Sequence, residues 1–135
     1  MIAGLPPGID SIRGFLATEE AEALHRHALE ASALGPVLEI GSYCGKSTIY
    51  LGLACRASGS TLFALDHHRG SEEHQPGEFF HDPELFDAGE GVMDSFKVFR
   101  RNISAADLDD VVVPLVSDSR TTARHWRTPF GMVFI

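Results

Sequence analysis

The stretch "EIGSYCGKST", residues 39–48, follows a short apolar run and places two glycines ahead of Lys-Ser-Thr. Its end resembles the loop G-x-x-x-x-G-K-[ST], which wraps backbone N–H groups around a nucleotide phosphate. Only three residues separate Gly41 from Gly45, one fewer than that loop requires. The dinucleotide pattern G-x-G-x-x-G also fails, because Tyr43 and Lys46 take its second and third glycine positions. The stretch therefore predicts a strand, a tight turn and a helix without the spacing of a phosphate loop.

Helical and strand patterns alternate on both sides of this stretch. Apolar runs predict four strands, with the sequences PVLEI, TLFALD, VVVPLVSD and GMVFI. Helices are predicted to begin at Thr18, near Lys46, at Val92 and at Thr121. This order indicates an α/β fold with a Rossmann-like parallel sheet and flanking helices. Pro114 cannot donate to a strand ladder, so the third strand is predicted at an edge of the sheet.

Composition and charge narrow the class of partner. The net charge is −8 and the isoelectric point is about 5.2, so the chain lacks the basic surface that nucleic acids and anionic membranes require. No apolar run approaches the length of a membrane-spanning helix. Cys44 and Cys55 are too few for a disulfide scaffold and match no zinc motif. We expect a cytoplasmic protein with reduced thiols and a small-molecule partner.

Acidic residues lie at the ends of three predicted strands. Glu39 is near the end of the first strand, Asp66 closes the second, and Asp118 follows the third between Ser117 and Ser119. Parallel strands present their carboxyl ends at one edge of the sheet, and ligands of open α/β sheets bind there. A carboxylate beside the glycine turn would repel a triphosphate and favours a ligand with a positive charge. Asp66 could accept hydrogen bonds from two ribose hydroxyls.

These motifs resemble the class I S-adenosylmethionine-dependent methyltransferases. The turn E-I-G-S-Y-C-G resembles their motif E/D-x-G-x-G-x-G, with Tyr43 in place of the middle glycine, a departure shared by a branch of small-molecule O-methyltransferases. The segments LFALD, FRRNISAADLDDVVVPLVSDS and GMVFI are similar to later motifs of the family and occur in the same order. The resemblance covers roughly residues 34–135 and implies S-adenosylmethionine as cofactor.

The resemblance assigns the glycine turn to the methionine part of the cofactor. It implies that Gly41, Ser42 and Gly45 approach this part, that Tyr43 belongs to the same turn, and that Glu39 lies beneath it. Glu39 could instead be a buried structural acid that caps the loop amides. Lys46 is expected to be solvated, and Ser47 or Thr48 to satisfy amides of the first helical turn.

The nucleoside is assigned to the next two strands. The resemblance implies that Asp66 binds the ribose and that Asp118, flanked by Ser117 and Ser119, binds the adenine amino group. His67, next to Asp66, is expected to line the cofactor pocket. No catalytic residue is assigned from the sequence.

The histidine-rich segment "DHHRGSEEHQPGEFFHD", residues 66–82, belongs to a long predicted loop that ends at Gly91 and contains at most one helical turn. Its histidines and acids fit no standard zinc or calcium spacing, so no metal site is predicted. Some members of the related branch use a divalent metal, which the residues present do not support. Phe79, Phe80 and Phe86 are expected to anchor this loop, with an apolar wall over the substrate as the alternative.

The domain organisation follows from the same motifs. We predict a single S-adenosylmethionine-binding domain over residues 1–135, with a lead-in and helix in 1–35 and the cofactor-binding core in 36–135. Because the last residues form an apolar strand that no helix covers, we expect a fold truncated after the fourth strand. The predicted function is methyl transfer to a small-molecule acceptor, at a hydroxyl. The alternatives are an NAD- or nucleotide-binding Rossmann-like protein and a noncatalytic module that forms homodimers through the exposed fourth strand.

Overall fold

Strands and helices alternate along the chain, and the computed structural model describes all of residues 1–135. The elements are α1 (Thr18–Ala31), β1 (Val37–Ile40), α2 (Lys46–Ser58), β2 (Leu62–Asp66), β3 (Phe86–Asp87), β4 (Val92–Met93), α3 (Phe96–Ala105), β5 (Val112–Val116), α4 (Ser119–Ala123) and β6 (Met132–Phe134). Short 3-10 turns occur at Ile9–Ser11, Glu72–His74 and Pro83–Leu85. None of the helices combines the length and the apolar character that crossing a membrane would need.

The central sheet contains four parallel strands in the order β5-β2-β1-β6. Val37 at the start of β1 is paired with Leu62 on one side and with Met132 on the other. Along the chain, β2 and β5 are thus added on one side of β1, and β6 is added on its other side. This order confirms the predicted Rossmann-like sheet, and Pro114 lies on the edge strand β5 as predicted. Because the order of the strands reverses beside β1, a crevice forms at the carboxyl ends of the strands.

The inner strands and α2 form the core because both are apolar on nearly all sides. Val37 and Leu62 are fully buried in the sheet, and Ile49, Leu51 and Cys55 are fully buried on α2. Each buried aliphatic side chain of this size contributes about 1.5–3 kcal/mol relative to an exposed one. The first turn of α2 is thereby fixed against the sheet, and so is the glycine turn that precedes it.

Two predicted helix boundaries are wrong. The third helix begins at Phe96, because Val92 and Met93 form a strand that pairs antiparallel with Phe86 and Asp87. The last helix spans Ser119–Ala123, where it was predicted to begin at Thr121. It begins earlier because the Asp118 carboxylate accepts the Thr121 backbone N–H and caps it.

The predicted long loop after β2 has more structure than one helical turn. It contains two 3-10 turns and the β3–β4 hairpin. Leu85 and Met93 of this segment are buried against Cys44 of the glycine turn, and Phe86 packs onto them. Phe86 therefore anchors the segment as predicted, whereas Phe79 and Phe80 do not, because their rings are exposed.

Candidate functional site

Two adjoining cavities form a cleft at the carboxyl ends of β1, β2 and β5, which we call the carboxyl-edge cleft. Gly41, Asp66 and His67 line both cavities. The β5-side cavity, of about 350 Å³, is also lined by Ser117, Asp118 and Ser119. The lead-in-side cavity, of about 310 Å³, is also lined by Phe15, Tyr43, His74 and Ser95. Residues contributed by three strand ends and by the lead-in (residues 1–17) therefore meet in one place.

Most of the predicted site residues lie in this cleft. The ones that line it are Gly41, Tyr43, Asp66, His67, Ser117, Asp118 and Ser119. The other three, Glu39, Ser42 and Gly45, are buried behind the turn. The structure thus separates the predicted residues into a lining set and a supporting set.

The two glycines of the turn share a positive φ and have different surroundings. Gly41 has φ +95° and Gly45 has φ +94°, a region that side chains with a Cβ rarely adopt. No atom lies within 4 Å of the place where a Cβ of Gly41 would be. A Cβ at Gly45 would lie 3.3 Å from side-chain atoms of both Phe99 and Ile103. Gly41 therefore leaves space open at the cleft, while Gly45 allows α3 to approach the turn.

The Asp66 carboxylate joins the loops that follow β1 and β2. Its Oδ2 accepts the Tyr43 backbone N–H at 2.8 Å, and its Oδ1 accepts the His68 backbone N–H at 2.8 Å. Each carboxylate oxygen can accept more than one hydrogen bond. Asp66 can therefore hold the two loops in place and still accept hydroxyl groups of a ligand.

Glu39 is fully buried beneath the turn. Its carboxylate accepts the Ser47 hydroxyl at 2.6 Å and the Thr48 hydroxyl at 2.5 Å. Burial raises the pKa of Glu39, while the hydrogen bonds from these hydroxyls oppose the rise. The prediction that Ser47 or Thr48 satisfies helix amides is wrong, because both hydroxyls donate to Glu39. Glu39 connects the end of β1 to the first turn of α2.

Asp118 provides an exposed negative charge in the β5-side cavity. Its Oδ1 accepts the Thr121 backbone N–H and its Oδ2 accepts the Thr121 hydroxyl, each at 2.8 Å. The hydrogen bond from the backbone N–H lowers the pKa of Asp118, which stays ionised at neutral pH. With Asp66, the cavity contains two carboxylates from adjacent strands.

His68 is buried next to Ser95, a residue of the cleft lining, and does not itself line either cavity. Its Nδ1 lies 2.8 Å from the Ser95 hydroxyl, and its ring packs against Phe96 and Phe99, with centroids 5.2 and 5.1 Å away. Burial lowers the pKa of His68, so its ring is neutral at neutral pH. Nothing in the pair His67-His68 indicates which ring points inward. His67 is the exposed one and lines both cavities.

The lead-in also contributes to the site, although its sequence shows no recognisable motif. Phe15 lines the lead-in-side cavity. The Arg13 guanidinium forms an ion pair with Asp82, with Nε 2.5 Å from Oδ2, and a second one with Glu84. These ion pairs fasten the lead-in to the long segment after β2. Two segments that are distant in sequence thus form one side of the cleft.

No three His, Cys, Asp or Glu side chains lie close enough together to hold a metal ion. The histidines of the long segment make other contacts. The His74 ring stacks on Tyr43 with centroids 5.4 Å apart, and His81 Nδ1 lies 2.9 Å from the His74 carbonyl oxygen.

Comparison with known proteins gives a family match over most of the chain. Residues 38–135 match the family model described as "Methyltransferase domain". The matched range includes the glycine turn, the carboxylates at the strand ends and all of the parallel sheet except Val37, the first residue of β1.

Solved structures share the fold at low sequence identity. A candidate O-methyltransferase from Klebsiella pneumoniae is 19% identical, with a TM-score of 0.65 over 97% of this chain and 53% of its own. The O-methyltransferase TomG from Streptomyces achromogenes, involved in tomaymycin synthesis and solved in complex with SAM, is 19% identical, with a TM-score of 0.58 over 88% of this chain and 44% of its own. Cofactor-bound Rv0187 from MTB is 21% identical, with a TM-score of 0.57 over 93% of this chain and 48% of its own. The chain spans about half the length of these structures.

Proposed function

The chain belongs to the methyltransferase domain family, and we propose on that basis that its carboxyl-edge cleft binds S-adenosylmethionine for methyl transfer to a small molecule. The observation that carries the proposal is the pair of carboxylates, Asp66 and Asp118, that line one cavity beside Gly41. TomG from Streptomyces achromogenes shares the fold and was solved in complex with SAM, which supports the choice of cofactor.

We assign the nucleoside to the β5-side cavity. Asp66 would accept the ribose hydroxyls, and Asp118 would accept the adenine amino group. His67, Ser117 and Ser119 line the same cavity and would flank the nucleoside. The donor chemistry fits, because both carboxylates are acceptors and a nucleoside presents hydroxyl and amino donors to them.

We assign the methionine part to the turn after β1. The open space at Gly41 would admit the ligand, and Tyr43 would line its path. Ser42, Gly45 and Glu39 would support the turn from behind, since all three are buried. Glu39 is a positioning residue in this proposal, because it fixes the start of α2 through the Ser47 and Thr48 hydroxyls.

The reaction proposed is O-methylation of a hydroxyl on a small acceptor. Bound S-adenosylmethionine would supply a methyl group activated by the sulfonium. The C–O bond to the acceptor would form as the C–S bond breaks, S-adenosylhomocysteine would be the leaving group, and the acceptor proton would pass to solvent. The task of this chain is to hold and orient the ligands, which lowers the barrier through proximity. No residue is assigned as the base, and no metal is part of the proposal. The cytoplasmic setting is also proposed, and the two buried unpaired thiols, Cys44 and Cys55, fit its reducing conditions.

Isothermal titration with S-adenosylhomocysteine, the demethylated cofactor, tests this proposal. Asp118→Asn removes the charge but keeps the helix cap, because asparagine caps as well as aspartate. We expect its Kd for S-adenosylhomocysteine to rise roughly tenfold, because a charged acceptor is replaced by a neutral one. Asp110→Asn, which changes an exposed aspartate paired with Arg56 outside the cleft, is the matched control.

Absence of S-adenosylhomocysteine binding by the parent chain, or equal binding by Asp118→Asn and the control, would refute the assignment. Titrations with ATP and NAD in the same buffer test the alternative nucleotide ligands. Light scattering tests the predicted pairing of two copies through β6, and a monomer mass would exclude it.

A further inference from the structure

Three aromatic rings are exposed next to the carboxyl-edge cleft. The exposed fractions of Phe15, Phe79 and Phe80 are 75%, 91% and 46%. Phe80 contacts Phe15 edge to face, with centroids 5.5 Å apart, and contacts Phe79 in the same manner at 4.9 Å. A cluster of exposed rings on a protein surface is typical of a binding site. We call these three residues the aromatic rim.

A cavity of about 340 Å³ lies against this rim, and we call it the rim cavity. Phe15, Phe80 and Tyr43 line it, together with Arg13, His81 and Asp82. Phe15 and Tyr43 also line the lead-in-side cavity, so the rim cavity adjoins the carboxyl-edge cleft. Its volume falls in the range of small-molecule sites.

The order of the strands places the rim cavity at the reactive end of the proposed cofactor. This step rests on the proposed function. Asp118 follows β5 and Asp66 ends β2, so a nucleoside held by both occupies that side of the sheet. The remainder of the cofactor then extends toward β1, whose following turn contains Tyr43. Tyr43 is also a wall of the rim cavity, so an acceptor in that cavity would lie beside the methionine part.

The polar groups of the rim cavity argue against an anionic ligand. Arg13 is already paired with Asp82 and Glu84, and His81 Nδ1 is close to the His74 carbonyl oxygen. One guanidinium is paired with two carboxylates, so these groups carry a net negative charge, which disfavours an anionic acceptor. The remaining surface consists mostly of ring faces and edges, which bind other rings through stacking and edge contacts. We propose that the rim cavity binds a neutral aromatic methyl acceptor against Phe15 and Phe80.

Two probes that share a carbon skeleton test this proposal, 2-naphthol and decahydro-2-naphthol. Both carry one hydroxyl, but only the first is aromatic. Titration by NMR of the chain without cofactor is expected to show tighter binding of 2-naphthol. Phe80→Leu keeps an apolar side chain but removes the ring, so its Kd for 2-naphthol should rise roughly two- to tenfold. Phe130→Leu, which removes a ring that stacks on Trp126 outside the cavity, is the matched control.

The outcomes separate this inference from the proposed function. Phe80 lines the rim cavity and neither cavity of the carboxyl-edge cleft, so Phe80→Leu should bind S-adenosylhomocysteine as the parent chain does. Equal binding of the two probes, or equal effects of Phe80→Leu and Phe130→Leu, would overturn the aromatic acceptor while S-adenosylhomocysteine binding persists. Failure of S-adenosylhomocysteine to bind would refute the cofactor assignment, and preferential 2-naphthol binding that depends on Phe80 would still support an aromatic site.

Discussion

The two glycines of the turn allow a test in which two alanine variants separate the effect on stability from the effect on ligand binding. Gly41 and Gly45 both have a positive φ, +95° and +94°, so replacement by alanine has a backbone cost at both. That cost is about 1–2 kcal/mol for a residue with a Cβ in a left-handed conformation. The surroundings differ, because only a Cβ at Gly45 would meet other side chains.

The packing cost of Gly45→Ala follows from its neighbours. The new methyl group would lie 3.3 Å from Ile103 Cδ1 and 3.3 Å from Phe99 Cδ2, closer than ordinary van der Waals contact. Both neighbours are fully buried, so neither can move away without disturbing the core. Overpacking of this kind costs about 1–3 kcal/mol. We therefore expect Gly45→Ala to lose about 2–5 kcal/mol of unfolding free energy and Gly41→Ala about 1–2 kcal/mol.

Urea denaturation followed by tryptophan fluorescence measures the unfolding free energy of each variant. Titration with S-adenosylhomocysteine measures its ligand affinity. Gly41→Ala should keep most of its stability and bind the ligand much more weakly, because its methyl group enters the cleft. Gly45→Ala, assayed at a temperature where it is folded, should bind within about threefold of the parent chain, a difference of less than 1 kcal/mol. Equal losses of stability in the two variants, or normal binding by Gly41→Ala, would refute this account of the turn.

Two further predictions concern buried ionisable groups. The pKa of His68 is lowered by burial, so the folded state excludes a proton that the unfolded state accepts. The unfolding free energy should therefore fall as the pH decreases below about 6.5. In urea denaturation, His68→Gln should reduce this dependence of the unfolding free energy on pH. The pKa of Glu39 is raised by burial, so the folded state retains a proton that the unfolded state loses. The parent chain should therefore lose stability relative to Glu39→Gln as the pH rises above about 4.3, and a constant difference between the two would contradict the burial argument.

The strands and the second helix were predictable because their determinants are local. Apolar runs specify β1 and β2, and glycines at both ends specify α2, whose last residue is followed by Gly59 in a left-handed conformation. The start of the third helix was not predictable, since Val92 fits a helical pattern as well as a strand. Its pairing with Asp87 across the hairpin decides the outcome, and that pairing depends on contacts that periodicity does not contain.

The candidate site was predictable in outline for a similar reason. Acids at the ends of parallel strands share one edge of the sheet, so Asp66 and Asp118 could be assigned to one cleft from their positions. The direction in which each residue of the tight turn points could not be predicted, because it depends on packing against α3. The sequence therefore could not show that Gly45 faces Phe99. The ion pairs that Arg13 forms with Asp82 and Glu84 could not be predicted either, because they join segments that are distant in sequence.

The backbone of the glycine turn explains why a stretch that resembles a phosphate loop does not suit a phosphate. A phosphate loop requires backbone N–H groups that point at the anion without other partners. Here the Gly41 N–H donates to the Leu65 carbonyl oxygen at 2.8 Å, and the Gly45 N–H donates to that of Ser42 at 2.9 Å. The Tyr43 N–H donates to the Asp66 carboxylate at 2.8 Å, which places a negative charge where an anion would need a donor. Three N–H groups of the turn are therefore already used, and the adjacent carboxylate favours neutral or cationic ligands over phosphates.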